Sequence, residues 1–152
     1  MAQASRPRAF YAVGGFLVAI GENVKFSEFK KKVNVRFSVD GDRYIIAKLK
    51  EVPEFSDGIF AVIRDKKEVT VITKEGIELH PSSEEGFFRI VTFDLTLPFD
   101  LSGFLSHVSG LLARKSIHIF AISAYSTDHL LVREEYLGRA TEALKEDGID
   151  MV

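Results

Sequence analysis

The chain has 152 residues, enough for one ordinary domain or two small ones. Hydrophobic residues make up 46% and charged residues 28%, as in a folded soluble core, and the net charge of −2 leaves no broad positive field for a nucleic-acid backbone. There is no cysteine, which excludes disulfides, thiolate zinc sites and a cysteine nucleophile, and a reducing cytoplasm fits.

Met1 to Arg8 has no periodicity and reads as a loose tail. The run Ala9 to Ile20 is apolar, and as a helix its length of about 18 Å falls short of a roughly 30 Å hydrocarbon core. Arg6 and Arg8 resemble the start of a signal peptide, but no small-residue cleavage pattern follows. The run is expected to be an extra strand or helix on the domain; Gly14 and Gly15 leave that choice open. Lys25 to Val33 places Phe26, Phe29 and Val33 at helical spacing, with Ser27 as a possible cap. Lys30-Lys31-Lys32 reads as a solvated face.

From Val33 the pattern becomes β. Val33, Val35, Phe37 and Val39 alternate with polar residues, and Asp40-Gly41 supplies a turn before a strand from Arg43 to Leu49. Two more strands, Gly58 to Arg64 and Glu68 to Thr73, flank the charged turn Asp65-Lys66-Lys67. Ser82 to Gly86 reads as a polar bridge, and Phe87 to Leu95 as a strand. Pro98-Phe99-Asp100 then opens a helix with Leu101, Phe104, Leu105, Val108, Leu111 and Leu112 on one face, capped by Asp100 or Ser102.

Ile117 to Arg133 holds two β-prone runs around a short polar tip, Ser126-Thr127, and reads as a hairpin. A helix from Glu134 to Glu146 follows, stopped by Gly148, and Ile149 to Val152 adds a last short strand. The order β-α-β-β-α-β is the ferredoxin-like α+β motif, with both helices on one side of the sheet. With Ser126 and Thr127 as a two-residue loop, Tyr125 faces Asp128 and Ser123 faces Leu130. One sheet face then shows Ile117, Ile119, Ala121, Leu130 and Val132; the other shows Phe120, Ile122 and Leu131. Both are apolar, so the helix-free face is expected to be covered by the first half of the chain, by a second chain, or by both.

The run Phe120-Ala121-Ile122-Ser123-Ala124-Tyr125-Ser126-Thr127-Asp128-His129-Leu130-Leu131-Val132 resembles the signature of the ACT-domain family, in particular its branch related to the cytosolic arginine sensors. Ala124 stands where threonine is usual. Phe99 to Leu105 is similar to the segment before the family's first helix, with Gly103 at the expected glycine. The resemblance covers Phe87 to Gly148 and extends more weakly over Val33 to Glu75. It implies three parts: an extension of unknown role over 1–32, a degenerate β-rich ACT-like unit over 33–82, and an ACT domain over 83–152. It further implies a cytoplasmic, allosteric regulatory protein without catalysis or a cofactor, acting as a homo-oligomer or on a protein partner. A free amino acid would be held between ACT units. Asp128, with Thr127 and Ser123 beside it, is the ligand contact carried over from the family.

The residues bear on that expectation physically. Asp128 is an acceptor that can take an ammonium group. Backbone N–H groups at Leu101, Ser102 and Gly103, where the helix begins, can take a carboxylate. Gly103 allows close approach. The plainer roles are a turn-side hydrogen bond for Asp128 and a helix cap for Asp100. A structural dimerisation module without a ligand is the other reading. The four histidines, His80, His107, His118 and His129, show no metal-ligand spacing, and no catalytic set or phosphate loop is present.

Overall fold

A computed structural model of the protein describes residues 24–94 and 101–152, together with the backbone of two N-terminal strands, β1 (Ala9–Val13) and β2 (Phe16–Ile20). The expected tail, Met1 to Arg8, and the candidate residue Asp100 lie outside the described residues. β1 and β2 resolve the open choice for the apolar run: they pair antiparallel, from Ala9 opposite Ile20 to Val13 opposite Phe16. Helix α1 spans Phe26–Lys32 and buries Phe26 and Phe29. Its N-cap is Lys25, with no side-chain cap; Ser27 lies inside the helix rather than at its start.

Four strands follow: β3 (Arg36–Val39), β4 (Tyr44–Leu49), β5 (Ile59–Arg64) and β6 (Val69–Lys74). The next, β7 (Ser83–Phe93), begins earlier than its apolar residues suggest, because Ser83 to Glu85 pair with β4 although their side chains are polar and exposed. Asp40-Gly41 does not reverse the chain. Phe37 lies opposite Phe93, Val39 opposite Val91, Tyr44 opposite Phe88 and Lys48 opposite Ser83, so β3 and β4 run the same way along one edge of β7. Gly41 lacks the positive φ that a tight hairpin turn requires. Asp40 closes a jog instead: its carboxylate accepts the Asp42 N–H at 2.8 Å and the Tyr44 hydroxyl at 3.0 Å.

The second half completes the ferredoxin-like motif. After β7 come α2 (Phe104–Arg114), β8 (Ile119–Ser123), β9 (Asp128–Arg133), a short 3-10 turn, α3 (Leu137–Glu146) and β10 (Asp150–Met151). β9 pairs with β7 and β8, while β10 joins the far side through a parallel pairing with β3. Thus β3, from the first half, sits between the motif's first and last strands. The hairpin register is Ser123 opposite Asp128 and Phe120 opposite Leu131, with the Ala124 N–H donating to the Thr127 carbonyl at 2.8 Å. The turn is therefore centred on Tyr125-Ser126, not on Ser126-Thr127. The pairing differs from the expected one by two residues, an even slip, so every side chain keeps its face.

Both faces of this sheet are dry. On one, Val91, Phe93, Leu130 and Val132 pack against α1, α2 and α3 in a single cluster. On the other, Ile90 and Leu131 pack with Tyr44, Ile72 and Phe88, and with the half-buried Ile46, Ala61 and Ile122. The cover comes from the chain itself. β5 is separated from β9 by three strands in the sheet order, yet the Phe60 ring on β5 meets the His129 ring on β9 at 5.1 Å. The sheet must curl to allow this, and register shifts between Tyr44 and Ile46 and between Ile59 and Ala61 supply bends. Cover runs out at the edge strand β8, where Phe120 is 36% exposed.

The three helices meet at an ion cluster. Lys30 donates to both the carboxylate and the carbonyl of Asp147, and His107 Nε2 lies 2.7 Å from the same carboxylate. Burial alone would raise the Asp147 carboxyl; the hydrogen bonds from His107 and Lys30 outweigh it and hold the group below its ordinary value. A depressed carboxylate contributes stability above its unfolded value near about 4 and loses it as pH falls through the folded value. Asp147→Asn should therefore flatten the stability profile below about pH 4 relative to wild type, measured as urea midpoints. Leu131→Ala should cost about 2–5 kcal/mol, because both faces of its strand are packed, whereas Phe120→Ala should cost under about 1 kcal/mol. Denaturant unfolding of the two variants checks this; similar losses would contradict the covered-face description.

Candidate functional site

β7 and β8 run parallel, each antiparallel to β9, so their C-terminal ends lie at the same end of the sheet. One end leads into α2 and the other into the hairpin turn. Between them lies a cleft of about 300 Å³. Leu101, Gly103, Phe104, Leu105 and Ser106 form one wall, and the continuous run Ser123 to Asp128 forms the other. Of the sequence-derived candidates, the structure brings together Asp128, Thr127, Ser123, Leu101 and Gly103. Ser102 is adjacent but does not line the cleft.

The helix wall differs from expectation in a way that matters. α2 starts at Phe104, its N-cap is Gly103 with φ +90°, and no side chain among the described residues caps it. The reason lies one residue earlier. Ser102 is drawn into a parallel bridge with Lys25: its N–H donates to the Val24 carbonyl at 3.1 Å, and its carbonyl accepts the Phe26 N–H at 2.8 Å. Ser102 is thus neither a cap nor a free backbone donor. The donors lacking a partner among the described residues are those of Phe104, Leu105 and Ser106, in the first turn, before His107 N–H donates to the Gly103 carbonyl at 2.9 Å. No acidic side chain occupies that turn. Gly103 is needed for its left-handed backbone rather than for close approach, since an added Cβ would lie 4.0 Å from Phe26 Cβ.

Leu105 was expected in the core stripe of α2, but it is 42% exposed at the cleft. The stripe was read as starting at Leu101; with the helix starting at Phe104, the buried face is Phe104, Val108, Leu111 and Leu112. Ser106, Ala124, Tyr125 and Ser126 also line the cleft and were not singled out. Only neighbourhood to Asp128 and Gly103 could have indicated them. Across the cleft, Asp128 is half-buried at the start of β9, and its carboxylate makes no hydrogen bond or ion pair among the described residues.

His129 ties the hairpin wall to the rest of the sheet. Its Nδ1 lies 2.9 Å from Thr92 Oγ1 and its Nε2 3.2 Å from Thr127 Oγ1. Thr127 thus joins the cleft to β7, and through the Phe60 contact to β5. Burial lowers the His129 imidazole below its ordinary value, against the neighbouring Asp128 carboxylate, which raises it.

Against this geometry, comparison with known proteins is decisive for one part of the chain. Residues 83–146 match the family model of the ACT domain. That span contains α2, the hairpin and both cleft walls. No curated protein matches the chain. Among solved structures, a protein from Agobacterium tumefaciens is similar with a TM-score of 0.66 and 24% identity, over 78% of this chain and 92% of that one. A Vibrio cholerae protein of unknown function, described as a possible transport protein, has a TM-score of 0.61 and 20% identity, over 74% and 89%. Aspartokinase alpha and beta subunits follow at a TM-score of 0.54 and 15% identity, over 73% and 95%. At these identities the likeness is one of fold. The family match, with the antiparallel sheet and its helices, bears out a ferredoxin-like ACT fold for residues 83–146; nothing selects the arginine-sensor branch.

The fold favours the neutral imidazole of His129, so its contribution to stability is present above the unfolded value near about 6.5 and is lost as pH falls below it. An NMR titration should place the His129 midpoint below about 6.5, and Asp128→Asn should move it lower still by removing the charge that raises it. An upward movement in that variant would contradict the arrangement.

Proposed function

We propose that the chain is a regulatory binding protein, without catalytic activity, whose ACT segment takes a free amino acid in the cleft between α2 and the hairpin turn. One observation carries the reading: a carboxylate and a helix N-terminus that no described side chain caps lie across a small cleft from each other. Asp128 receives the ligand's ammonium group. The N–H groups of Phe104, Leu105 and Ser106, at the positive end of the helix, receive its carboxylate. Ser123, Ser106 and Thr127 add hydroxyls that can donate or accept. ACT domains are commonly regulatory small-molecule-binding modules, and the match over 83–146 supports that class.

Tyr125 is 84% exposed and Leu105 42%, so the cleft's rim carries apolar surface that a second unit would cover. Ligand held at that seam favours one packing of the units over another through differential affinity, which is the regulatory output. Arginine is the first ligand to test, given the hairpin's resemblance to the arginine-sensor branch. A ligand-free assembly module is the second reading, favoured by the exposed Phe120 on the edge strand β8.

A thermal-shift screen over the free amino acids at millimolar concentration tests the proposal. Saturation to 100 times Kd stabilises by about 2.7 kcal/mol, which reads as a shift of several degrees. Asp128→Asn should abolish the response while leaving the sedimentation-derived assembly state unchanged. No response to any amino acid would leave the assembly module as the surviving reading.

A further inference from the structure

Residues 24–33 lie outside the stretch that matches the ACT model, yet they are joined to the base of the cleft's helix wall. The Val24–Phe26 segment exchanges two backbone hydrogen bonds with Ser102, one residue before the α2 cap. The Phe26 ring then meets Phe104 edge-on at 5.1 Å and lies 5.2 Å from the His107 ring. At the other end of α1, Lys30 reaches Asp147, and Asp147 also holds His107, on α2. The Lys30 and Asp147 side chains are only 24% and 20% exposed, so this pair is shielded from water more than a surface ion pair.

α1 has seven residues and no side-chain cap, too few to be stable alone. Its place is therefore set by what it touches, and both ends touch α2 or what holds α2. We propose that residues 24–33 are a positioning clamp for the N-terminus of α2. Lys30 locks α1 down through Asp147, α1 holds the Ser102 bridge, and the bridge sets the aim of the Phe104, Leu105 and Ser106 N–H groups. The clamp's relevance to a ligand rests on the reading of the cleft given above; its existence does not. Residues before the ACT segment thereby govern the binding geometry within it.

Lys30→Met in the full chain keeps the alkyl stem and removes the charge, and Lys30→Arg restores the charge. Native-state hydrogen exchange of Lys30→Met should show the Ser102 and Phe26 amides exchanging at least about tenfold faster, with Leu130 to Val132 unchanged. In the same variant the amide chemical shifts of Phe104, Leu105 and Ser106 should move, and Lys30→Arg should return them. Unchanged exchange at Ser102 and Phe26 overturns the clamp. So does a uniform loss of protection that includes Leu130 to Val132, because Lys30 would then be a general stabiliser. These readouts need no ligand. A wild-type protein deaf to every amino acid would remove the ligand reading alone and leave the clamp to be decided here.

Discussion

Leu130, Leu131 and Val132 are successive residues of one strand, and all are at most 1% exposed. Successive side chains on a strand point to opposite faces, so this strand must be dry on both. An open antiparallel sheet with helices on one side satisfies only half of that demand. The remaining face has to be covered, and the first half of the chain does it. Tyr44 and Ile72, from the first half, pack in one cluster with Phe88, Ile90 and Leu131, and register shifts in the pairing supply the bends that bring them there. The architecture follows from that requirement. β7 is long because it serves both halves: its C-terminal part pairs with β3 and β9, and its N-terminal part carries β4 and the cover.

The same geometry creates the cleft. Covering both faces leaves the ends and edges of the sheet as the places where polar chemistry meets solvent. At the end where β7 and β8 finish, a helix begins with N–H groups that have no partner among the described residues, and a hairpin turn presents a carboxylate. Neither feature is unusual alone. Helix starts attract anions and turn-side aspartates are common, each contributing on the order of 1 kcal/mol when exposed. Their placement across one small cleft brings an acceptor and a set of donors to the same place. The bridge through Ser102 matters because it consumes the donor that would otherwise sit nearest the cap, and shifts the free donors into the first turn.

His129 and the Lys30–Asp147–His107 cluster extend this site into the body of the protein. One connects the hairpin wall to β7 and, by way of Phe60, to the covering strands. The other connects the helix wall to α1 and the end of α3. The two walls are thereby tied to elements outside the matched span, β5 on one side and α1 on the other.

Local patterning determined a good deal by itself. The period-3.6 stripe of Val108, Leu111 and Leu112, the alternation in β3, the continuous apolar run of β9 and the glycine stops are short-range features, and they specify the βαββαβ order and its two apolar faces. The hairpin resemblance singles out Asp128 and Gly103, and both line the cleft. Other features depended on long-range pairing. Asp40-Gly41 reads as a reversal, but β7 offers one continuous edge to both flanking strands, so the chain jogs and goes on. Ser82 to Gly86 reads as a polar bridge, yet Ser83 to Glu85 extend β7, because backbone pairing with β4 is indifferent to their polar side chains. Ser102 reads as a cap, but Val24 and Phe26, far away in the chain, pull it into a bridge. Periodicity records which side of an element is dry; it holds no record of which distant backbone claims an N–H, and that only the folded chain decides.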